Sequence, residues 1–212
     1  VVIIILFLVA RNYEIQNWSW KMKIHFNFHF WVNDLTKNLL PFINIALLSF
    51  FIPTDDIGGY SAAYKLGEFL MFFTTIFISF SPVIVKYVRA DKWNKLQSSY
   101  LTISKLLIVI VYPLFLLLLV FSNQILAIFG QGFSEYTLVL QILVIGVYMD
   151  AVTGPIGEML NMSNNEKIEK NINILGTVLN IILLIILTKL FGVIGAAISY
   201  SMSRALINIA KL

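Results

Sequence analysis

Polar and apolar positions alternate along this chain on the scale of whole helices. Six long apolar runs, Leu35–Ile52, Ile57–Val85, Leu101–Phe121, Tyr136–Met162, Ile168–Leu187 and Val193–Ala210, are separated by short polar breaks. A helix needs about 20 apolar residues to cross a bilayer, and each run comes close to that length or exceeds it. Strands of a soluble sheet are far shorter, so the pattern predicts an all-α, polytopic transmembrane helix bundle. The breaks carry turn chemistry: Pro53-Thr54-Asp55-Asp56, Gly130-Gln131-Gly132 and Thr188-Lys189-Leu190-Phe191-Gly192. A short amphipathic piece, Asn123–Phe129, precedes the glycine loop.

Residues 1–10 read Val-Val-Ile-Ile-Ile-Leu-Phe-Leu-Val-Ala, too short a run to span and without the basic start of a signal peptide. They are expected to be the end of a transmembrane helix that begins upstream. The chain is then a middle or C-terminal piece of a longer protein. In residues 11–34, Trp18, Trp20, Phe26, Phe28, Phe30 and Trp31 are interleaved with Lys21, Lys23, His25 and His29. Aromatics of this kind collect at the headgroup level, which predicts an interfacial linker. Residues 35–212 are expected to form one six-helix lobe.

Basic residues mark every second break. Arg11, Lys21, Lys23 and Lys37 lie on the linker side, Lys86, Arg89, Lys92 and Lys95 at 86–98, and Lys167 and Lys170 at 162–170. The intervening breaks hold only Lys189. Cytoplasmic loops carry such an excess, so these three faces and the C-terminus are predicted to be cytoplasmic.

Composition agrees with a bilayer solvent. Of 212 residues, 59% are hydrophobic and 12% charged, and the mean hydropathy is +0.86. Soluble domains carry about 25% charged residues. The absence of cysteine excludes disulfides and thiolate metal sites. A net charge of +4 is modest and gives no reason to expect nucleic-acid binding.

The candidate chemistry is the polar groups inside the runs. Lipid offers such groups no partners, so they face other helices or a wet cavity. Ser61, Lys65, Glu68, Phe72, Thr75, Ser79 and Pro82 recur at steps of three and four, which puts them on one face of the second helix. Lys65 and Glu68 are spaced to pair, either as a structural ion pair or as cavity groups. Pro41 and Asn44 share a face of the first helix with Lys37. Lys37 and Lys105 are near enough to the basic side to snorkel. In the fourth helix Asp150, Thr153, Gly154, Gly157 and Asn161 cluster, and Gly154-Pro155-Ile156-Gly157 breaks it. Broken helices at membrane depth carry substrate and ion contacts in transporters. A charge at mid-span costs about 2.5–3.5 kcal/mol on insertion scales, so Asp150 is the candidate protonatable or cation-binding group. Gly154, Pro155 and Gly157 are candidate gating residues, and Glu158 is a second candidate acid that solvent may reach near the cytoplasmic end. Asn173 and Asn180 are candidate substrate hydrogen-bonders or interhelical glue. Gly195, Ser199 and Ser203 form a small-residue seam, and Arg204 follows near the cytoplasmic surface.

No catalytic set, phosphate loop or cofactor motif is present. His25 and His29 at i,i+4 sit among alternating aromatics, which argues against a metal site. Asp55-Asp56 leaves open a membrane glycosyltransferase or polymerase, although adjacent acids in a short turn are more often a helix cap. A purely structural membrane module would leave the polar stripes unexplained.

Three stretches carry a family resemblance. Asp56-Ile57-Gly58-Gly59-Tyr60-Ser61-Ala62-Ala63-Tyr64-Lys65-Leu66, Ile125-Leu126-Ala127-Ile128-Phe129-Gly130-Gln131-Gly132-Phe133, and Asn171 through Ser199 with Phe191-Gly192-Val193-Ile194-Gly195-Ala196-Ala197 resemble, in order and spacing, the C-terminal half of Wzx-type flippases for lipid-linked oligosaccharides. These belong to the multidrug/oligosaccharidyl-lipid/polysaccharide exporter superfamily. The resemblance implies two six-helix lobes around a cavity with alternating access. This chain would supply the stub of helix six and helices seven to twelve, and its missing N-terminal lobe is the implied partner. It implies an anionic polyprenyl-pyrophosphate glycan of polysaccharide or O-antigen synthesis as substrate, and a bacterial inner membrane as location. The implied substrate-binding set is Lys65, Glu68, Asn44, Asn173, Asn180 and Arg204, with Lys65 the best-placed cation. A cation-coupled multidrug exporter of the same superfamily is the alternative.

Overall fold

The computed structural model describes residues 28–78, 81–130 and 132–212. The expected helix stub, most of the linker with His25, and Ser79 lie outside the described residues. Among the described residues the only regular structure is helix: α1 (Phe28–Leu48), α2 (Thr54–Ile78), α3 (Ser81–Arg89), α4 (Trp93–Val120), α5 (Ser122–Ala127), a 3-10 turn (Phe133–Tyr136), α6 (Thr137–Thr153), α7 (Ile156–Met162) and α8 (Glu166–Lys211).

Three segments are long and apolar enough to cross a membrane by length and composition: Trp93–Val120, Phe133–Thr153 and Glu166–Lys211. The last has 46 residues and reverses direction at Gly192, whose φ of 58° and ψ of −137° break the helix. The two arms then run back antiparallel. A Cβ at Gly176 would meet the side chain of Ile207, one at Gly195 would collide with the Leu187 carbonyl, and Lys211 returns to within 3.5 Å of Glu169. Glycine at these crossings lets the backbones touch. Nothing lies near a Cβ at Gly192, so the backbone alone demands glycine there. We expect Gly192→Ala to cost about 1–3 kcal/mol, the range for a residue held in a glycine-only region. The unfolding temperature of the detergent-solubilised protein should fall accordingly.

Run directions alternate. Lys37 pairs with Glu169 while Lys189 lies over Phe51, so α1 is parallel to the first arm of α8. Tyr64 meets Tyr200 and Glu68 meets Arg204, so α2 is parallel to the second arm. Ser201 donates to the Ile142 carbonyl and Asn208 to Asp150, so α6 runs the same way. Tyr100 binds the Thr153 carbonyl while Gln141 reaches that of Leu119, so α4 runs against α6. The core is apolar and centred on α6: Leu140, Leu143, Val144 and Val147 pack with Leu107, Val111, Ala63, Leu70, Ala196 and Ala197. Large apolar side chains also coat the outside, for example Phe42 and Val109, each 70% exposed. Such a coat is an aggregation hazard in water and a fit to hydrocarbon.

Several boundaries differ from the sequence expectation. The second stretch is helical over Thr54–Ile78 and again over Ser81–Arg89, four residues past Val85. The third helix starts at Trp93 rather than Leu101, because 93–100 holds no breaker and turns Leu96 into the core. α1 is already helical from Phe28, within the stretch expected as the linker, and Asn33 anchors that first part by hydrogen bonds to α8. α1 and α4 run through Pro41 and Pro113.

Candidate functional site

A column of polar groups runs through the bundle between α2, α6 and the second arm of α8. Tyr200, Arg204 and Asn208 project from one face of that arm at steps of four. Arg204 is its centre. Its Nη1 pairs with Glu68 of α2 and donates to the Tyr200 hydroxyl at 2.7 Å, and its Nη2 lies 2.9 Å from Asp150 Oδ2 of α6. The guanidinium also lies over the Tyr200 ring. Tyr200 donates to Glu68 Oε1 at 2.9 Å, and the Tyr64 and Tyr200 hydroxyls are 3.3 Å apart. Asn208 donates to Asp150 Oδ1 at 2.6 Å. The side chains of Arg204, Glu68 and Asp150 are 19%, 27% and 18% exposed. One guanidinium shared by two carboxylates leaves a formal charge of −1, in a setting where water screens little.

The Asp150 helix ends one turn later. Gly154 has φ 73° and ψ −167°, Tyr100 of α4 caps the Thr153 carbonyl, and a Cβ at position 154 would strike Ser104. Pro155 stands before α7, and Gly157 faces the Glu169 carboxylate. The expected break is therefore real and is held by α4 on one side and by a second charge cluster on the other. Glu158 lies in the first turn of α7, half-buried.

That second cluster was not expected. Glu169 is fully buried. Lys37 Nζ lies 2.7 Å and Lys211 Nζ 3.5 Å from its Oε1, and Asn33 approaches its Oε2 at 3.4 Å. Asn33 also donates to Asn161 Oδ1 at 3.3 Å and accepts from Asn173 at 3.1 Å.

The sequence-derived residues separate accordingly. Asp150, Glu68 and Arg204 come together. Glu68 does not pair with Lys65: the ion pair goes to Arg204, because Glu68 turns toward the second arm of α8 while Lys65, one turn earlier, points outward and is exposed. Arg204 does not stand alone: Glu68 and Asp150 both pair with it. Lys37 does not snorkel alone but pairs with Glu169. Asn173 binds Asn33, as interhelical glue would. Asn44 and Asn180 are buried among the helices. Tyr64, Tyr200, Asn208, Glu169 and Lys211 were overlooked. The spacing of Tyr200, Arg204, Asn208 and Lys211 on an apolar helix was the available signal. Among the described residues no group of three or more His, Cys, Asp or Glu could hold a metal.

Comparison with known proteins fits this geometry. The chain is 28% identical over 179 residues to the "Probable low-salt glycan biosynthesis flippase Agl15" of the archaeon Haloferax volcanii, covering 82% of the chain and 37% of that protein. It is 25% identical over 201 residues to the "Probable flippase AglR" of the same organism, covering 93% of the chain and 41% of that protein. The chain thus spans about two fifths of the length of these curated relatives. No solved structure matches it. The MatE family model matches residues 32–186, which contain α2, α6 with Asp150, and the break at Gly154. An apolar-coated helical bundle with charges inside, matched over most of its length by that model, belongs to the MatE family of membrane proteins.

Proposed function

We propose that the chain is one six-helix lobe of a flippase that moves a lipid-linked oligosaccharide, a polyprenyl-pyrophosphate glycan, across the plasma membrane. The observation that carries the reading is the half-buried Glu68–Arg204–Asp150 cluster among helices coated with apolar side chains. A structural module has no use for a net charge at that depth, whereas a transporter needs a group that answers to an ion gradient. The printed names of both relatives support a flippase, and that of one supports a glycan pathway. The protein acts as a transporter and performs no catalysis. Asp55 and Asp56 begin α2, and Asp56 accepts a hydrogen bond from Tyr136 at 2.7 Å, which favours helix start over catalytic acids.

The membrane is the inner one where the cell has two, and the glycan feeds surface polysaccharide synthesis such as O-antigen. The relatives are archaeal, so the reading does not depend on an outer membrane. A second, N-terminal lobe completes the cavity. Lys65, Phe72 and Thr75 are exposed on the face of α2 that turns away from this lobe's core, where a partner lobe would enclose substrate. In the full-length protein, Lys65→Ala should reduce glycan export about tenfold, the loss of one charge contact of ~1.4 kcal/mol, with unchanged protein in the membrane. Normal export would remove Lys65 from the binding set.

The alternating run directions place α1 and the first arm of α8 leaving the basic face, and α2, α6 and the second arm returning to it. Single cysteines at Lys92 and Ser134 should therefore label from opposite sides of the membrane, Lys92 from the cytoplasm. Labelling from one side would end the six-span topology. The function itself is tested with the full-length protein in liposomes holding a fluorescent polyprenyl-diphosphate glycan. Translocation is expected. Export of cationic dyes without glycan translocation would establish the multidrug exporter instead.

A further inference from the structure

Two lysines share one carboxylate at the basic end of the bundle, and the arrangement has the sign opposite to that around Arg204. Lys37 and Lys211 against Glu169 leave a formal charge of +1. The two clusters stand on the same arm: Lys211 follows Arg204 by seven residues, about 10 Å along a helix. Four segments meet at the second one. α1 brings Lys37 and Asn33, the two arms of α8 bring Glu169 with Asn173 and Lys211, and α7 brings Asn161 and Gly157. A Cβ at position 157 would lie 3.5 Å from Lys37 Nζ and nearly on Glu169 Oε1, so the segment behind the Gly154-Pro155 break closes directly over the ammonium and the carboxylate. Glu169 is fully buried, Lys211 has 6% of its side chain exposed and Lys37 has 42%, so the cluster is reached from outside through Lys37.

We propose that Lys37 and Lys211 form a clamp for the diphosphate of the lipid carrier, and that Glu169 occupies this clamp as an internal anion when no substrate is bound. The inference rests on the flippase reading above and adds to it the residues that take the headgroup on the basic side. Three features carry it. Two ammonium groups and the amides of Asn33, Asn161 and Asn173 are a donor set suited to a group with several anionic oxygens. The excess positive charge is unused while a single carboxylate holds both lysines. The depth also fits, because a lipid-borne diphosphate stays at headgroup level while its chain lies in hydrocarbon, and Glu169 and Lys211 stand in the first and last turns of α8. When a diphosphate takes the lysines, Glu169 loses both cations, keeps only the Asn33 amide, and is repelled from its place against Gly157, which couples headgroup binding to α7 and to the break below Asp150.

The test uses the full-length protein in detergent, with farnesyl diphosphate as probe and farnesol as control. Glu169→Gln keeps the shape and removes the competing charge, so farnesyl diphosphate should bind about tenfold more tightly, with no change for farnesol. Lys37→Gln and Lys211→Gln should each weaken the probe about tenfold, equivalent to ~1.4 kcal/mol, and Lys37→Arg should retain most of the affinity. Glu169→Gln should also unfold at a lower temperature alone and recover when the probe is added. Unchanged or weaker probe binding by folded Glu169→Gln overturns the internal-anion role. Wild-type affinity in both lysine-to-glutamine variants overturns the clamp. Should a lysine-to-glutamine variant fail to fold, the tighter or unchanged binding of Glu169→Gln decides. If the wild type binds the probe and translocates glycan while these variants match it, only the clamp falls. If the wild type translocates no lipid-linked glycan in liposomes, the flippase reading falls and takes the clamp with it.

Discussion

Replacing Arg204 with glutamine should cost about 3–5 kcal/mol, because it leaves two carboxylates inside the bundle with no counter-charge. Glu68 would retain the Tyr200 hydroxyl and Asp150 the Asn208 amide, but neither neutral donor balances a full charge. The expected readout is a large fall in the amount of full-length protein recovered from membranes and a lower unfolding temperature in detergent. Arg204→Lys should be intermediate: an ammonium keeps the charge but cannot reach Glu68, Tyr200 and Asp150 at once with the fork of a guanidinium. The triple change Glu68→Gln, Asp150→Asn, Arg204→Gln should recover much of the loss, since removing a whole buried ion cluster is cheaper than orphaning part of it. If Arg204→Gln accumulates and unfolds like the wild type, the cluster is solvated and the central charge argument fails.

Asp150→Asn is expected to abolish the dependence of export on a proton or sodium gradient while leaving a fold that still accumulates. The carboxylate meets Arg204 through one oxygen and Asn208 through the other, so both partners are donors. A protonated Asp150 would turn a hydroxyl toward one of them, and an asparagine turns an amide the same way at nearly constant volume. The substitution therefore imitates the proton-loaded state, and the rearrangement that follows protonation becomes permanent. The next turn of this helix ends at Gly154, whose backbone conformation suits glycine and whose neighbour Ser104 leaves no room for a Cβ, so displacement of Asp150 has a hinge to act upon. Transport by the full-length Asp150→Asn protein, measured in vesicles with and without each gradient, checks this. Full export that still follows the gradient would make Asp150 a packing group and move coupling elsewhere.

Much of the bundle could be read without coordinates. Apolar runs of membrane length, Gly192 in the last turn, the breaker at Gly154-Pro155 and the isolated charge of Asp150 are local facts, and each reappears where the chain pattern puts it. Helix starts were read less well. Helical geometry continues beyond the apolar run at Phe28 and Trp93 because polar residues at a bundle end are tolerated in helices as long as a neighbour or the headgroup layer satisfies them.

Partnership was not legible at all. Lys65 and Glu68 have the spacing of an ion pair, yet Glu68 goes to a residue 136 positions away, because the second arm of α8 brings a guanidinium to its face while Lys65 turns outward. Glu169 lies in the basic 162–170 break, and nothing local sets it apart. It is buried because α1, α7 and the end of α8 converge on it. Hydropathy along one helix tells which residues are costly in lipid, and it marked Asp150 here as a group that needs a partner. Which partners they have depends on the register of one helix against the next. That register is decided by contacts between segments far apart in the chain, such as Gly176 against Ile207 and Gly146 against Ser201, and no local pattern encodes them. Membrane class and the breaks at Gly154 and Gly192 therefore belong to the sequence, whereas the two charge clusters, of opposite sign, exist only in the packed bundle.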